Sequence, residues 1–235
     1  MSQSALRQPI HIPLADRATA GRVLANMLGK YRQRSDVLVL ALPRGGVPVA
    51  YEIASALEVR LDVLLVRKLG VPGYPELALG AIAGAGVRVL NPDVVRLHRL
   101  NKNVIDTVTA RETQELQRRQ QLYRGERPPV AIAGQQVILV DDGLATGASM
   151  QAAVQAIQQL SPARCCVAVP VAAPDSLELL RSQVDEIVCP FAPDPLFAIG
   201  RWYVDFAQTS DEQVLDLLHS AWQREAQRPT RRKQS

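Results

Sequence analysis

Cysteine, histidine and aromatic residues are all scarce in this chain, and each scarcity removes a class of function. The cysteines number three. Cys165 and Cys166 are neighbours in an apolar run and Cys189 stands alone, a spacing that fits neither a disulfide framework nor a metal-ligand set. A reducing, cytoplasmic setting is therefore expected, with the thiols serving as small hydrophobes. His11, His98 and His219 are far apart and lie outside every candidate loop, so no histidine is given a role. No apolar run reaches the ~18 residues of a membrane span, and the opening MSQSALRQPIHIPLADR lacks the apolar centre of a secretion signal. Also missing are G-x-x-x-x-G-K-[ST], H-E-x-x-H and G-x-S-x-G, while Gly84-Ala85-Gly86 lacks the third glycine of a dinucleotide fingerprint.

What is present is ordinary for a folded protein. With 47% apolar and 21% charged residues in 235, the chain has ample material for a core and is not disordered. The formal net charge is +4, and the residues after Ala221 account for the whole excess, through Arg224, Arg228, Arg231, Arg232 and Lys233 against Glu225. A nucleic-acid binder would spread cations over a face, so neither a nucleic acid nor a membrane is expected as partner, and the terminus reads as a solvated tail.

Continuous apolar runs at 37–42 (VLVLAL), 61–66 (LDVLLV), 137–140 (VILV) and 167–171 (VAVPV) each precede a turn and a helix-like pattern, with a last strand-like segment at 186–189. Strands so uniformly apolar are expected when helices cover both faces of a parallel sheet, which gives an α/β fold. Asp16 is placed to cap a helix with an apolar stripe, and further helices are predicted at 47–57, 102–123 and 211–222. Between the second and third runs, the Gly- and Pro-rich stretch 67–91 predicts a mobile excursion with a small hairpin at 79–91.

The chemistry is concentrated in VILVDDGLATGAS, residues 137–149. A buried strand ends there in Asp141 and Asp142, at the edge of the sheet where open α/β folds bind ligands. Ala145, Thr146, Gly147, Ala148 and Ser149 follow, offering backbone N–H groups, two hydroxyls and a helix N-terminus, which together make a cradle for a phosphate. Acceptors for a diol or a hydrated metal beside donors for a phosphate monoester describe a ribose 5-phosphate. A capped loop with solvated acids is the bland alternative.

Four apolar residues, two acids and a loop of small and hydroxyl residues resemble the phosphoribosyl pyrophosphate (PRPP) motif of the type I phosphoribosyltransferases. The order of segments from about 36 to 206 is similar to that family, most closely to a bacterial branch sharing ALPRGGVPVA and VRKLGVPG-like stretches. The resemblance implies a parallel sheet flanked by helices, with a flexible loop and a small C-terminal hood. It implies one domain over 1–235, with a core at about 36–190, a hood from 1–35 and 190–222, and a basic tail at 223–235. It also implies Mg2+-dependent transfer of a 5-phosphoribosyl group to a nitrogenous base by a homodimer, or else a sensor of PRPP or nucleotide with the same fold.

Residue by residue, the resemblance gives Asp141 and Asp142 the ribose hydroxyls, and a metal held indirectly through water or the ribose. Residues Ala145 to Ser149 take the 5-phosphate. Arg44, Gly45 and Gly46 match the pyrophosphate loop, and Arg67 and Lys68 open the flexible catalytic loop, 67–77. One position departs from the 6-oxopurine branch, which has an aspartate three residues after the second acid where this chain has Ala145, and a 6-oxopurine acceptor is accordingly disfavoured. Phe197 and Trp202, in the cluster with Tyr203 and Phe206, either stack on the base or anchor the C-terminal segment to the core. The helix at 102–123 is either a dimer contact or a solvated surface.

Overall fold

A computed structural model describes residues 11–227; the basic residues Arg228, Arg231, Arg232 and Lys233 and the first ten residues lie outside that range. Five strands, β1 (Val37–Ala41), β2 (Arg60–Val63), β6 (Gln136–Val140), β7 (Arg164–Ala168) and β8 (Glu186–Val188), form one sheet in the order β2-β1-β6-β7-β8. Every pairing in it is parallel. Helices α1 (Arg17–Met27), α2 (Gly46–Leu57), α5 (Ala148–Gln158), α6 (Pro174–Arg181) and α7 (Asp211–Ala226) surround it, and α4 (Lys102–Arg124) runs beside a second sheet.

The apolar runs are continuous because both faces of the sheet are covered. Val37, Val39 and Ala41 pack into one cluster with α1, α2 and α7, whereas Leu38 and Leu40 join α5 in the other. Side chains alternate along a strand, so successive residues enter opposite layers. Cys165 and Cys166 obey the same rule, one in each cluster. The Asp16 cap is present, its carboxylate accepting from Thr19 N at 2.7 Å.

The Gly- and Pro-rich stretch folds as a separate antiparallel sheet of β3 (Val66–Val71), β4 (Tyr74–Ala83) and β5 (Arg88–Leu90). Val71 pairs with Tyr74 across a two-residue turn of Pro72 and Gly73, and Gly73 has φ +84°. Proline followed by a residue of positive φ is the signature of a type II turn, which glycine adopts without strain. The second apolar run is thus divided. Residues 60–63 belong to the parallel sheet and Val66 opens the hairpin, so Arg67 and Lys68 stand on β3 and not at the end of the second parallel strand. The strand read at 167–171 begins earlier, at Arg164, and a short helix, α3 (Pro92–Leu97), follows β5.

The N-terminal and C-terminal segments meet above the sheet. Leu14 N donates to Trp202 O at 2.8 Å, and Val204 N donates to Leu14 O at 2.7 Å. This contact places α1 beside the residues that follow β6.

Candidate active site

Strand β6 delivers Asp141 and Asp142 to the carboxyl end of the sheet, directly opposite the turn that ends β1. The two segments touch. A Cβ on Gly46 would stand 2.6 Å from Val140 O and 3.3 Å from Asp141 Oδ1, so a side chain there would fill the space that the acids border. The peptide between Pro43 and Arg44 is cis. The close approaches of Gly45 to Asp142 and of Gly46 to Asp141 set both glycines against the acid pair, a juxtaposition of segments far apart in the chain that spacing alone cannot show.

Asp141 Oδ1 accepts from Asp142 N at 2.8 Å. Burial, and then the neighbouring Asp142 charge, push the Asp141 carboxyl well above the usual carboxylate range. Two adjacent acids out of water disfavour double ionisation, and a cation at the site would relieve that. Asp142 Oδ2 is taken up by Arg17, whose Nε donates to it at 2.8 Å. Tyr203 donates from its hydroxyl to the Asp142 backbone carbonyl at 2.7 Å. Burial raises the Tyr203 phenol far above its ordinary value, so it remains a donor at any physiological pH.

After the acids, the chain turns through Leu144, whose N–H donates to Val171 O, and enters α5 at Gly147 without a side-chain cap. Ala145, Thr146, Ala148 and Ser149 are exposed around that helix start. Ala148 N has only a long 3.5 Å contact with Thr146 Oγ1, which leaves the first turn's N–H groups facing outward. Buried Ser176 on α6 holds the loop from behind, donating to Ala145 O at 2.6 Å.

Beside this loop lies a cavity of about 630 Å³. Arg67 and Lys68 of β3 line it with Arg111 and Arg119 of α4, Pro43 of the β1 turn and Ser149 of α5. Glu112 is the one carboxylate among its lining residues, against four cations. Arg67 is tied to it, with Nε and Nη2 donating to Oε2 at 2.8 and 2.6 Å. An excess of positive charge in a concave site suits a multiply charged anion. Arg44 is not among the lining residues; its Nη1 stands 3.8 Å from Asp211 Oδ1 of α7.

The arrangement explains why α4 carries few apolar residues yet is more than a solvated surface. Its Arg111, Glu112 and Arg119 form a wall of the cavity. In the hood, Trp202 stacks on Phe191 with centroids 6.0 Å apart, while Phe197 is 74% exposed beneath Arg201. It is Ile199 that lies over Gly143, behind the acids. Asp205 accepts from Ala207 N at 2.9 Å, a local turn contact.

Sequence reasoning missed Arg17, Ser176, Arg111, Glu112 and Arg119. For Arg17 a signal existed, since a cation in the first turn of a helix opposes the helix dipole and needs another reason to be there.

Residues 15–200 match the family model described as a phosphoribosyl transferase domain. The chain belongs to the phosphoribosyl transferase family. Two Mycobacterium tuberculosis proteins, from strains CDC 1551 and H37Rv and named provisionally as phosphoribosyl transferases, are 46% identical to it over 206 residues. That alignment covers 88% of this chain and 46% of each relative, so the chain spans about half the length of the curated relatives it matches. The crystal structure of TT1426 from Thermus thermophilus superposes with a TM-score of 0.81 at 43% identity, covering 88% of this chain and 98% of that one. TT1426 is therefore similar to this chain in fold, the parallel sheet flanked by helices included. No helix among the described residues is long and apolar enough to cross a membrane.

Proposed function

We propose that this chain transfers the 5-phosphoribosyl group of PRPP to a nitrogenous base and releases pyrophosphate. One observation carries the reading: the Gly45-Gly46 turn, the Asp141-Asp142 pair and the uncapped start of α5 converge at one end of the sheet, beside a cation-lined cavity.

In this reading the outward N–H groups of α5, with Thr146 and Ser149, take the 5-phosphate, and the helix dipole favours the anion. Asp141 and Asp142 accept from the ribose hydroxyls. Arg44, Gly45 and Gly46 approach the pyrophosphate through the backbone. Lys68 and Arg67 stabilise the charge that grows on the leaving group as the bond to the anomeric carbon breaks. The β3–β4 hairpin acts as the lid that keeps water from the carbon while the base nitrogen attacks.

Magnesium is part of the proposal. Among the described residues no three His, Cys, Asp or Glu side chains cluster as a metal cage. Two carboxylates beside a phosphate cradle fit a hard cation that keeps most of its waters and binds partly through substrate oxygens. When bound, the ion would neutralise charge on the departing pyrophosphate.

For the acceptor, Ala145 argues against a 6-oxopurine. With Trp202 committed to Phe191, Phe197 is the ring exposed to stack on a base. A cytoplasmic homodimer without nucleic-acid partner belongs to the same reading. The test is pyrophosphate release from PRPP with a panel of bases and Mg2+. Asp142→Asn and Lys68→Ala should abolish it while the protein stays folded by circular dichroism. Unchanged turnover in both would remove these residues from the site. Tight PRPP binding without turnover on any base would support a sensor instead.

A further inference from the structure

We propose that Arg17 is a positioning residue that presents the second acid, Asp142, to the ribose of the donor; the proposal rests on the reading of the acid pair given above. Arg17 occupies the first position of α1, where the helix dipole is unfavourable to a cation. Its side chain is nevertheless only 12% exposed. Three contacts hold it there. The guanidinium lies 4.0 Å over the Phe206 ring, Nη1 donates to Ala207 O at 2.7 Å, and Nε donates to Asp142 Oδ2 at 2.8 Å.

Burying this pair brings little net stability, because desolvation offsets most of the attraction. Its consequence is geometric. Phe206 stacks in turn on Tyr203, at 4.8 Å between centroids, and Tyr203 holds the Asp142 carbonyl. Asp142 is thereby fixed at its backbone by Tyr203 and at one carboxylate oxygen by Arg17, with Gly45 pressed against that same oxygen. The arginine contact falls on Oδ2, while Oδ1 stands farther from the position of a Gly45 Cβ, at 3.2 Å against 2.0 Å for Oδ2, and the Asp141 side chain interacts with the same carboxyl group. Arg17 therefore holds the orientation in which the Asp142 carboxylate is presented. It does so with support from the hood, through a ring and a hydroxyl that lie far beyond the acid in the chain.

Isothermal titration calorimetry on the full chain tests this with two probes, PRPP with Mg2+ and pyrophosphate alone. Arg17→Ala should weaken PRPP by about 10- to 100-fold, by analogy with the loss seen when the outer-shell partner of a metal ligand is removed. Pyrophosphate affinity should be unchanged, since its cavity is lined by cations other than Arg17. Millimolar guanidinium should restore part of the PRPP affinity of Arg17→Ala, and Phe206→Leu, which loosens the guanidinium without removing it, should fall between the variant and the parent. Equal PRPP affinity in parent and Arg17→Ala overturns the proposal, as does a parallel loss of both probes with no rescue. If Arg17→Ala does not fold, unchanged PRPP affinity in Phe206→Leu and Arg17→Lys overturns it. Failure of the parent to bind PRPP overturns the reading of the acid pair, and this proposal with it.

Discussion

Gly45 and Asp142 are packed so closely that a Cβ on the glycine would stand 2.0 Å from Asp142 Oδ2 and 2.6 Å from its Cγ. The contact links the turn after β1 to the end of β6, and no other residue type leaves room for it. Gly45→Ala must displace the Asp142 carboxylate or the turn. We expect PRPP affinity to fall by about tenfold or more, roughly 1.4 kcal/mol in binding free energy, with a smaller change in the urea midpoint. Calorimetry and urea unfolding on the same samples check it, and wild-type affinity in the alanine variant would show that Asp142 does not hold its position for the donor.

A second prediction concerns Asp62 and Arg124, away from the site. Asp62, one residue before the end of β2, is fully buried 3.1 Å from Arg124 Nη2, and its Oδ2 has no hydrogen-bond partner. Burial raises its carboxyl above the usual range even with Arg124 beside it. A pair like this costs stability when one member is removed, because the other charge is left without compensation. Arg124→Met should lower unfolding free energy by about 3 kcal/mol or more, whereas Asp62→Leu with Arg124→Met should return to within about 1 kcal/mol of the parent. Urea melts of the two variants decide it; equal losses in both would show that the pair stabilises the fold.

The thiols provide a third. Burial first pushes Cys165 and Cys166 up to about 12, with nearby carboxylates adding to the shift, and Cys189 to about 11. A thiol raised from near 9 to about 12 holds roughly a thousandfold less thiolate, the reactive form. Ellman's reagent at pH 8 should therefore label Cys165 and Cys166 slowly in the native protein and all three thiols at once in denaturant. The linkage has a definite sign. In the unfolded chain thiols ionise near 9, in the folded one near 11 to 12, so stability is fully present below pH 9 and declines as pH rises toward 12. Flat stability between about pH 8 and 11 would contradict these environments.

Arg67 shows where reading along the chain went astray. A run of six residues, 61–66, has the composition of one buried strand, and a Gly- and Pro-rich sequence after it has the composition of a loop. Composition does not reveal that the run divides at Val63, nor that Pro72 and Gly73 make a hairpin turn with strands on either side. Those outcomes depend on partners: β2 pairs with β1, and β3 with β4. Local preference allows both strand and loop, and pairing selects between them.

The linear order of residues by itself determined the parallel sheet, through runs apolar on both faces, and the acid-rich segment 141–149, because its acids, hydroxyls and small residues are consecutive in the chain. Only the folded chain decided that Gly45 meets Asp142, that Arg17 reaches the same carboxylate from α1, and that α4 walls the anion cavity. Short-range chemistry is legible because neighbours in the chain are neighbours in space. Contacts between residues far apart in the chain are set by how layers pack, and no local pattern encodes them.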